Sequence, residues 1–246
     1  MNVRSYLGAI RALPESSGEA MTGGLPFIVL SPHPDDESLG MGGLIASATA
    51  RGQHAEIVVL TDGAGSHPAS RCFPHDRLVA LRKAETERAA AELGLPAGRV
   101  THLDLPDTQA PSAGPLFEQA VDRILQLADR AGAGHVFVTW ERDPHCDHEA
   151  AAAMARALRR RRPGLRLWFY PIWGWHLDPE APLAASPPRG YRIDISPWLS
   201  AKHAAIGAHR SQMTDLIDDD PGGFRFDERT LAPFLQPNEY YFEVPA

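Results

Sequence analysis

The stretch Phe27-Ile28-Val29-Leu30-Ser31-Pro32-His33-Pro34-Asp35-Asp36-Glu37-Ser38-Leu39-Gly40-Met41-Gly42-Gly43-Leu44 decides how this chain reads. A short apolar run, closed by Pro and His and followed by a glycine-rich helical start, predicts a buried strand, a turn, then a helix. The acidic cluster then falls at the carboxyl end of a strand, the edge where open α/β sheets bind ligands. Three consecutive acids beside a histidine repel one another, and burial penalises each ionised carboxylate. A divalent metal offsets that cost, since imidazole and carboxylate are normal zinc ligands and a catalytic zinc takes three protein ligands plus an open water position. The competing reading is a solvated acidic turn whose carboxylates favour the N-terminus of the following helix.

Outward from this turn, the same unit repeats. Ala55-Glu56-Ile57-Val58-Val59-Leu60 is a second apolar run, ending in Thr61-Asp62-Gly63. Residues 76–93 carry apolar side chains near helical period and stop at Gly94, and Val100-Thr101-His102-Leu103 is a third strand with Asp107 in its exit loop. Residues 116–131 form a further helix, stopped by Gly132. His135-Val136-Phe137-Val138-Thr139-Trp140 leads into Glu141-Arg142-Asp143-Pro144-His145-Cys146-Asp147-His148, with an Ala-rich helix expected over 149–158. A fifth strand over 165–170, a strand over 191–195 and a helix over 197–209 complete the legible part; the residues beyond resist assignment. Strand, polar end and helix in alternation predict an α/β fold with a mostly parallel sheet, in a single domain over residues 25–246. Residues 1–24 read as a short amphipathic leader with a flexible entry to the first strand.

Parallel strands bring their carboxyl ends to one edge, so the two His/Asp clusters meet there. His145 and His148, three apart at a helix start, share a side, and His33 and Asp36 have the same spacing. Two matched clusters at equivalent strand ends predict one shared metal site.

The 246 residues, 43% hydrophobic and 22% charged, are ordinary for a folded enzyme-sized domain. A net charge of −7 argues against nucleic acid as the main partner. The basic run Arg159-Arg160-Arg161-Arg162 reads as a solvated helix C-terminus in preference to a phosphate patch. Two cysteines, Cys72 and Cys146, are too few for a disulfide framework, and the absence of a long apolar span makes a cytoplasmic setting the default expectation. The oligomeric state is left open.

His33-Pro34-Asp35-Asp36-Glu37 and His145-Cys146-Asp147-His148 resemble the two metal-site motifs of the PIG-L/LmbE-like zinc-dependent N-acetylglucosaminyl deacetylases. Supporting matches are Thr61-Asp62-Gly63, Arg82-Lys83-Ala84-Glu85, Leu105-Pro106-Asp107, Lys202 and His209-Arg210-Ser211-Gln212. The resemblance implies a Rossmann-like fold, with zinc or another divalent metal such as Fe2+ held by His33, Asp36 and His148. It also implies Asp35 as general base, His145 as second catalytic group, and Arg82 and Asp107 as sugar contacts. Family members commonly carry Pro where this chain has Cys146, which reads as a space-filling residue or a spare soft ligand. Asp147 is expected to hold His145 in its cationic form, with protonated His145 stabilising the oxyanion or donating to the leaving nitrogen. The aromatic loop over 173–176 is read equally as a sugar platform or pocket lid and as core.

The expected activity is removal of the N-acetyl group from an amino sugar or sugar conjugate. Rival readings are a two-metal phosphoesterase, a deacylase acting on a non-acetyl group, and a non-catalytic sugar-binding protein on the same fold. A dinucleotide site at Gly40-Met41-Gly42-Gly43 lacks the required spacing, and the neighbouring acids would repel a pyrophosphate.

Overall fold

The computed structural model describes residues 1–244. In chain order the elements are α1 (Val3–Arg11), β1 (Glu15–Ser16), α2 (Gly18–Thr22), β2 (Phe27–Ser31), α3 (Asp36–Ala50), β3 (Ala55–Thr61), α4 (His75–Glu92) and β4 (Val100–Leu105). They continue with α5 (Pro115–Ala131), β5 (His135–Thr139), α6 (Cys146–Arg161), β6 (Arg166–Tyr170), β7 (Gly190–Asp194), α7 (Leu199–Ala208), α8 (Arg210–Met213), α9 (Glu228–Leu231) and β8 (Asn238–Glu243). The sheet order is β1-β7-β8-β6-β5-β2-β3-β4, parallel except where β8 pairs with β6 and β7.

β2 is flanked by β3 on one side and β5 on the other, in register Leu30↔Val58 and Leu30↔Val138. The chain order reverses at that point, so a crevice opens beyond the carboxyl ends of β2 and β5. Both His/Asp clusters leave the sheet there. Alternating side chains fill two cores: Ile28, Leu30, Val58, Val136 and Val138 face α1, α5 and α6, while Phe27, Val29, Ile57, Val59 and Phe137 face α3, α4 and α7. Every residue of β2, β3 and β5 is buried, as strands covered on both faces require.

Three sequence expectations change. Residues 1–24, read as a leader with a flexible entry, are part of the folded body. Tyr6, Leu7 and Ile10 of α1 are buried, Tyr6 stacks on Trp140, and β1 pairs with β7 at the sheet edge. The helix expected over 149–158 begins earlier, at Cys146, because the His145 side chain accepts from Asp147 N as its N-cap. The unassigned C-terminal residues contain the antiparallel β8, whose Glu239 accepts from Gly43 N and Leu44 N at 2.8 Å and from Lys202 Nζ at 2.8 Å. The basic run forms local pairs: Arg161 bonds Glu118 and Asp122, and Arg162 bonds Asp129 at 2.9 Å.

Candidate metal centre

Asp35 is the pivot between β2 and α3. Its φ of 148° is a conformation that L-residues rarely adopt, and such strain concentrates at functional sites. The surroundings hold it firmly. Arg82, buried on α4, donates to Asp35 Oδ2 at 3.0 Å and to the Pro34 and Gly63 carbonyls at 2.8 Å each. From behind, Glu37 accepts from Asp35 N at 3.1 Å, from Ser31 Oγ at 2.9 Å and from Ser38 Oγ at 2.8 Å, and its Oε1 lies 3.0 Å from His209 Nε2. Burial pushes the Asp35 carboxyl up to about 7; Arg82 pulls it down and the Asp36 charge pushes it up again.

Asp36 is where the two clusters meet. Its Oδ2 lies 3.3 Å from His33 Nδ1 and 3.4 Å from His148 Nε2. Metal bonds of 2.0–2.1 Å imply tetrahedral ligand-to-ligand edges of about 3.3–3.4 Å. His148 Nε2 is fully buried without a hydrogen-bond partner, an orphan that a metal bond would satisfy. Burial alone would lower the His148 pKa, but Asp36 and Asp143 outweigh it and bring it up to about 9. The same charges favour a metal cation at that nitrogen. His33, His145 and His148 also lie close enough to share an ion. The donor set therefore fits a divalent metal at this point.

Each histidine is oriented from its far side. His148 Nδ1 lies 2.9 Å from Asp143 Oδ2; since a carboxylate only accepts, Nδ1 carries the hydrogen and Nε2 is free to ligate. Asp143 is fully buried and was missed in the sequence reading. Its only signal was an acid five positions before His148 in the same strand-to-helix loop. His33 Nε2 lies 3.0 Å from Asp147 and 3.3 Å from Asp107, an equivalent arrangement for the first histidine. Burial opposes the charged form of His33, but these carboxylates and Asp36 raise its pKa well above the ordinary value.

Asp147 differs from expectation. Its carboxylate accepts from Thr108 N at 2.7 Å and Ala110 N at 2.9 Å and bonds His33, while His145 Nδ1 stands 4.0 Å away. His145 instead accepts from Asp147 N at 3.2 Å through Nδ1. Burial, with the neighbouring His33 and His148, holds its pKa down, which favours the neutral form; with Nδ1 accepting, the neutral ring has its hydrogen on Nε2. Arg82 and Asp107 both border the cavity, yet both have protein partners: Arg82 as above, and Asp107 at Gly65 N, 2.8 Å away. Cys146 is exposed and donates to the Thr108 carbonyl at 3.2 Å.

The cavity over these groups measures about 180 Å³, and its lining includes His33, Asp35, Asp36 and His145 together with Trp173, Phe224 and Phe226. The C-terminal residues closing it are tied down, with Phe224 N donating to Ser66 O at 2.7 Å and Ser211 Oγ to Glu85 at 2.6 Å.

A Rossmann-like sheet with a His/Asp cluster at its switch point defines a class, and residues 28–158 match the family described as PIG-L, GlcNAc-PI de-N-acetylase. The chain belongs to the PIG-L family. It is 28% identical to a 1D-myo-inositol 2-acetamido-2-deoxy-alpha-D-glucopyranoside deacetylase of Saccharomonospora viridis, covering 76% of this chain and 85% of that protein. It is also 28% identical to the diacetylchitobiose deacetylase of Thermococcus kodakarensis, covering 77% of this chain and 71% of the relative. The structure of the N,N'-diacetylchitobiose deacetylase from Pyrococcus horikoshii superposes with a TM-score of 0.66 at 20% identity, covering 89% of this chain and 84% of the other, a likeness of fold. Among the described residues no helix is long and apolar enough to cross a membrane.

Proposed function

We propose that this protein is a metal-dependent amide hydrolase that removes the N-acetyl group from an N-acetylglucosamine-type sugar or sugar conjugate. The observation that carries this reading is the convergence of His33 Nδ1 and His148 Nε2 on Asp36 Oδ2, with His33, Asp35 and Asp36 lining one cavity. The names of the relatives supply the substrate class.

His33, Asp36 and His148 would hold the metal, with zinc the best match to the donor set and Fe2+ a second candidate. When bound, it supplies Lewis acidity toward the acetyl carbonyl and acidifies a water. Asp35, its carboxyl near 7, accepts the proton of the attacking water and is poised to return it to the departing amine. Neutral His145 offers Nε2–H to the oxyanion of the tetrahedral intermediate, because its Nδ1 is already an acceptor. Asp147 and Asp143 orient the two ligand imidazoles. Arg82 holds Asp35 in place, and Asp107, which lines the cavity, is the sugar contact.

The test is acetate release by the zinc-loaded protein from a panel of N-acetylated amino sugars and glycosides. Activity lost in Asp35→Asn with metal content retained supports the assignment. Retained activity sinks it, and equal loss of metal makes Asp35 a ligand.

A further inference from the structure

Asp35 and Asp36 are consecutive, yet their carboxylates point to different partners. Asp36 Oδ2 meets His33 and His148, while Asp35 Oδ2 takes the Arg82 guanidinium. The backbone separates them by adopting φ 148° and ψ −26° at Asp35, a conformation that persists only where the surroundings enforce it. Arg82 restrains the end of the side chain. The restraint on the strained backbone is at its amide, where Asp35 N donates to Glu37 Oε2 at 3.1 Å.

Glu37 can serve in this way only if its own carboxylate is fixed. It is fully buried, Oε2 accepting from Ser31 Oγ at 2.9 Å and Oε1 from Ser38 Oγ at 2.8 Å. The remaining contact comes from far along the chain: His209 Nε2, 172 positions away, lies 3.0 Å from Oε1. Since a carboxylate only accepts, that nitrogen carries the hydrogen. Among the described residues His209 makes no hydrogen bond or ion pair with His33, Asp36 or His148, and it does not line the catalytic cavity.

His209 is itself held by the scaffold. It joins α7 to α8, its N–H donating to Ile206 O at 3.2 Å and its carbonyl accepting from Gln212 N at 2.9 Å and Met213 N at 3.1 Å. α7 packs on α3, and Lys202 of α7 bonds the Glu239 carboxylate that accepts from Gly43 N and Leu44 N of α3. Two separate contacts therefore register α7 against the helix that starts at Asp36. The His209 ring is fully buried, and its Nδ1 has no hydrogen-bond partner. An apolar side chain would fill the space without leaving a polar atom orphaned, so what the imidazole adds is the Nε2 bond to Glu37.

We propose that His209 is a positioning residue for the hydrolytic step: through Glu37 it fixes the backbone of Asp35, and so the direction of the base, without touching metal or substrate. This inference rests on the deacetylase reading and deepens it.

The experiment compares His209→Leu, which removes the donor, with His209→Gln, whose side-chain amide nitrogen replaces Nε2 as donor to Glu37. Each zinc-loaded protein is assayed for acetate release from N-acetylglucosamine and its β-1,4-linked dimer, its zinc content is measured, and hydrogen exchange of the Asp35 amide is followed by NMR. His209→Leu should lower kcat about 100-fold, the scale of a misplaced reacting group, with KM and zinc content within about 2-fold of the unaltered protein. His209→Gln should recover about 10-fold or more of that loss. The Asp35 amide should exchange about 10-fold or more faster in His209→Leu while the amides of β2 keep their protection. A general fold defect would instead lower zinc content and β2 protection together. Unchanged kcat, a loss matched by loss of zinc, equal loss in both variants, or unchanged Asp35 exchange overturns the proposal. Should His209→Leu fail to fold, His209→Asn, whose amide is too short to reach Glu37, takes its place with the same expectations. If the unaltered protein releases acetate from neither sugar nor any other N-acetylated sugar, the deacetylase reading fails separately and Asp35 exchange decides: selective loss of protection supports the positioning role, and unchanged protection overturns it.

Discussion

Asp143 and His148 form a fully buried pair, 2.9 Å apart, in which the carboxylate holds the imidazole with Nε2 facing Asp36. Such a partner fixes the tautomer and raises ligand basicity. Asp143→Ala should therefore weaken metal affinity by about 10- to 100-fold, measured by competition with a chromophoric chelator. Unchanged affinity would remove Asp143 from the site's support.

The Arg82 cation favours the ionised form of Asp35, so its removal raises the Asp35 pKa further. A general base works only when deprotonated, so activity falls as pH drops through that pKa. Arg82→Gln should move the acid limb of the kcat/KM profile to higher pH. A limb that stays in place would show that Asp35 is not the base.

His135 of β5 tests acid stability away from the centre. Trp168 Nε1 donates to its Nδ1 at 2.9 Å, which requires a neutral ring, and burial with the nearby Arg166 charge lowers its pKa to about 4. Below about pH 6.5 the unfolded chain takes up a proton there that the folded chain refuses. Stability should fall as pH drops from 6.5 to 4. Urea unfolding across that range should show a shallower slope in His135→Gln.

Tyr6 of α1 stacks on Trp140 at 5.2 Å between ring centroids and meets Phe242 edge-on. Tyr6→Ala should cost about 3–5 kcal/mol, the usual loss for a large buried aromatic. A cost under about 1 kcal/mol, read from denaturant midpoints, would show that residues 1–24 contribute little to the core.

Apolar runs, glycine stops and acidic strand ends were enough to place β2 to β7, α4 and α5, because strands buried on both faces and helices packed on one face leave periodic signals. β8 left none of that kind. Asn238-Glu239-Tyr240-Tyr241-Phe242-Glu243 is short and polar at both ends, and antiparallel insertion between β6 and β7 is a choice made by the rest of the sheet. The N-terminal residues misled for the same reason, since an amphipathic helix looks alike whether it floats or finds a partner.

By itself the sequence determined the α/β class and the two His/Asp clusters, since strand-end chemistry and parallel pairing are local and topological facts. Only the tertiary structure decided the partners. It gave Asp147 to His33 and set His145 Nδ1 to accept from Asp147 N, it set Asp143 behind His148, it turned Arg82 inward onto Asp35, and it laid the aromatic loop between two cavities. The long-range ones, Asp147 onto His33 across 114 positions and Arg82 onto Asp35 across 47, depend on which elements lie side by side once the chain has closed, about which residue spacing along one strand or helix carries no information; the Asp143–His148 pair, five apart, depends on how their shared loop folds.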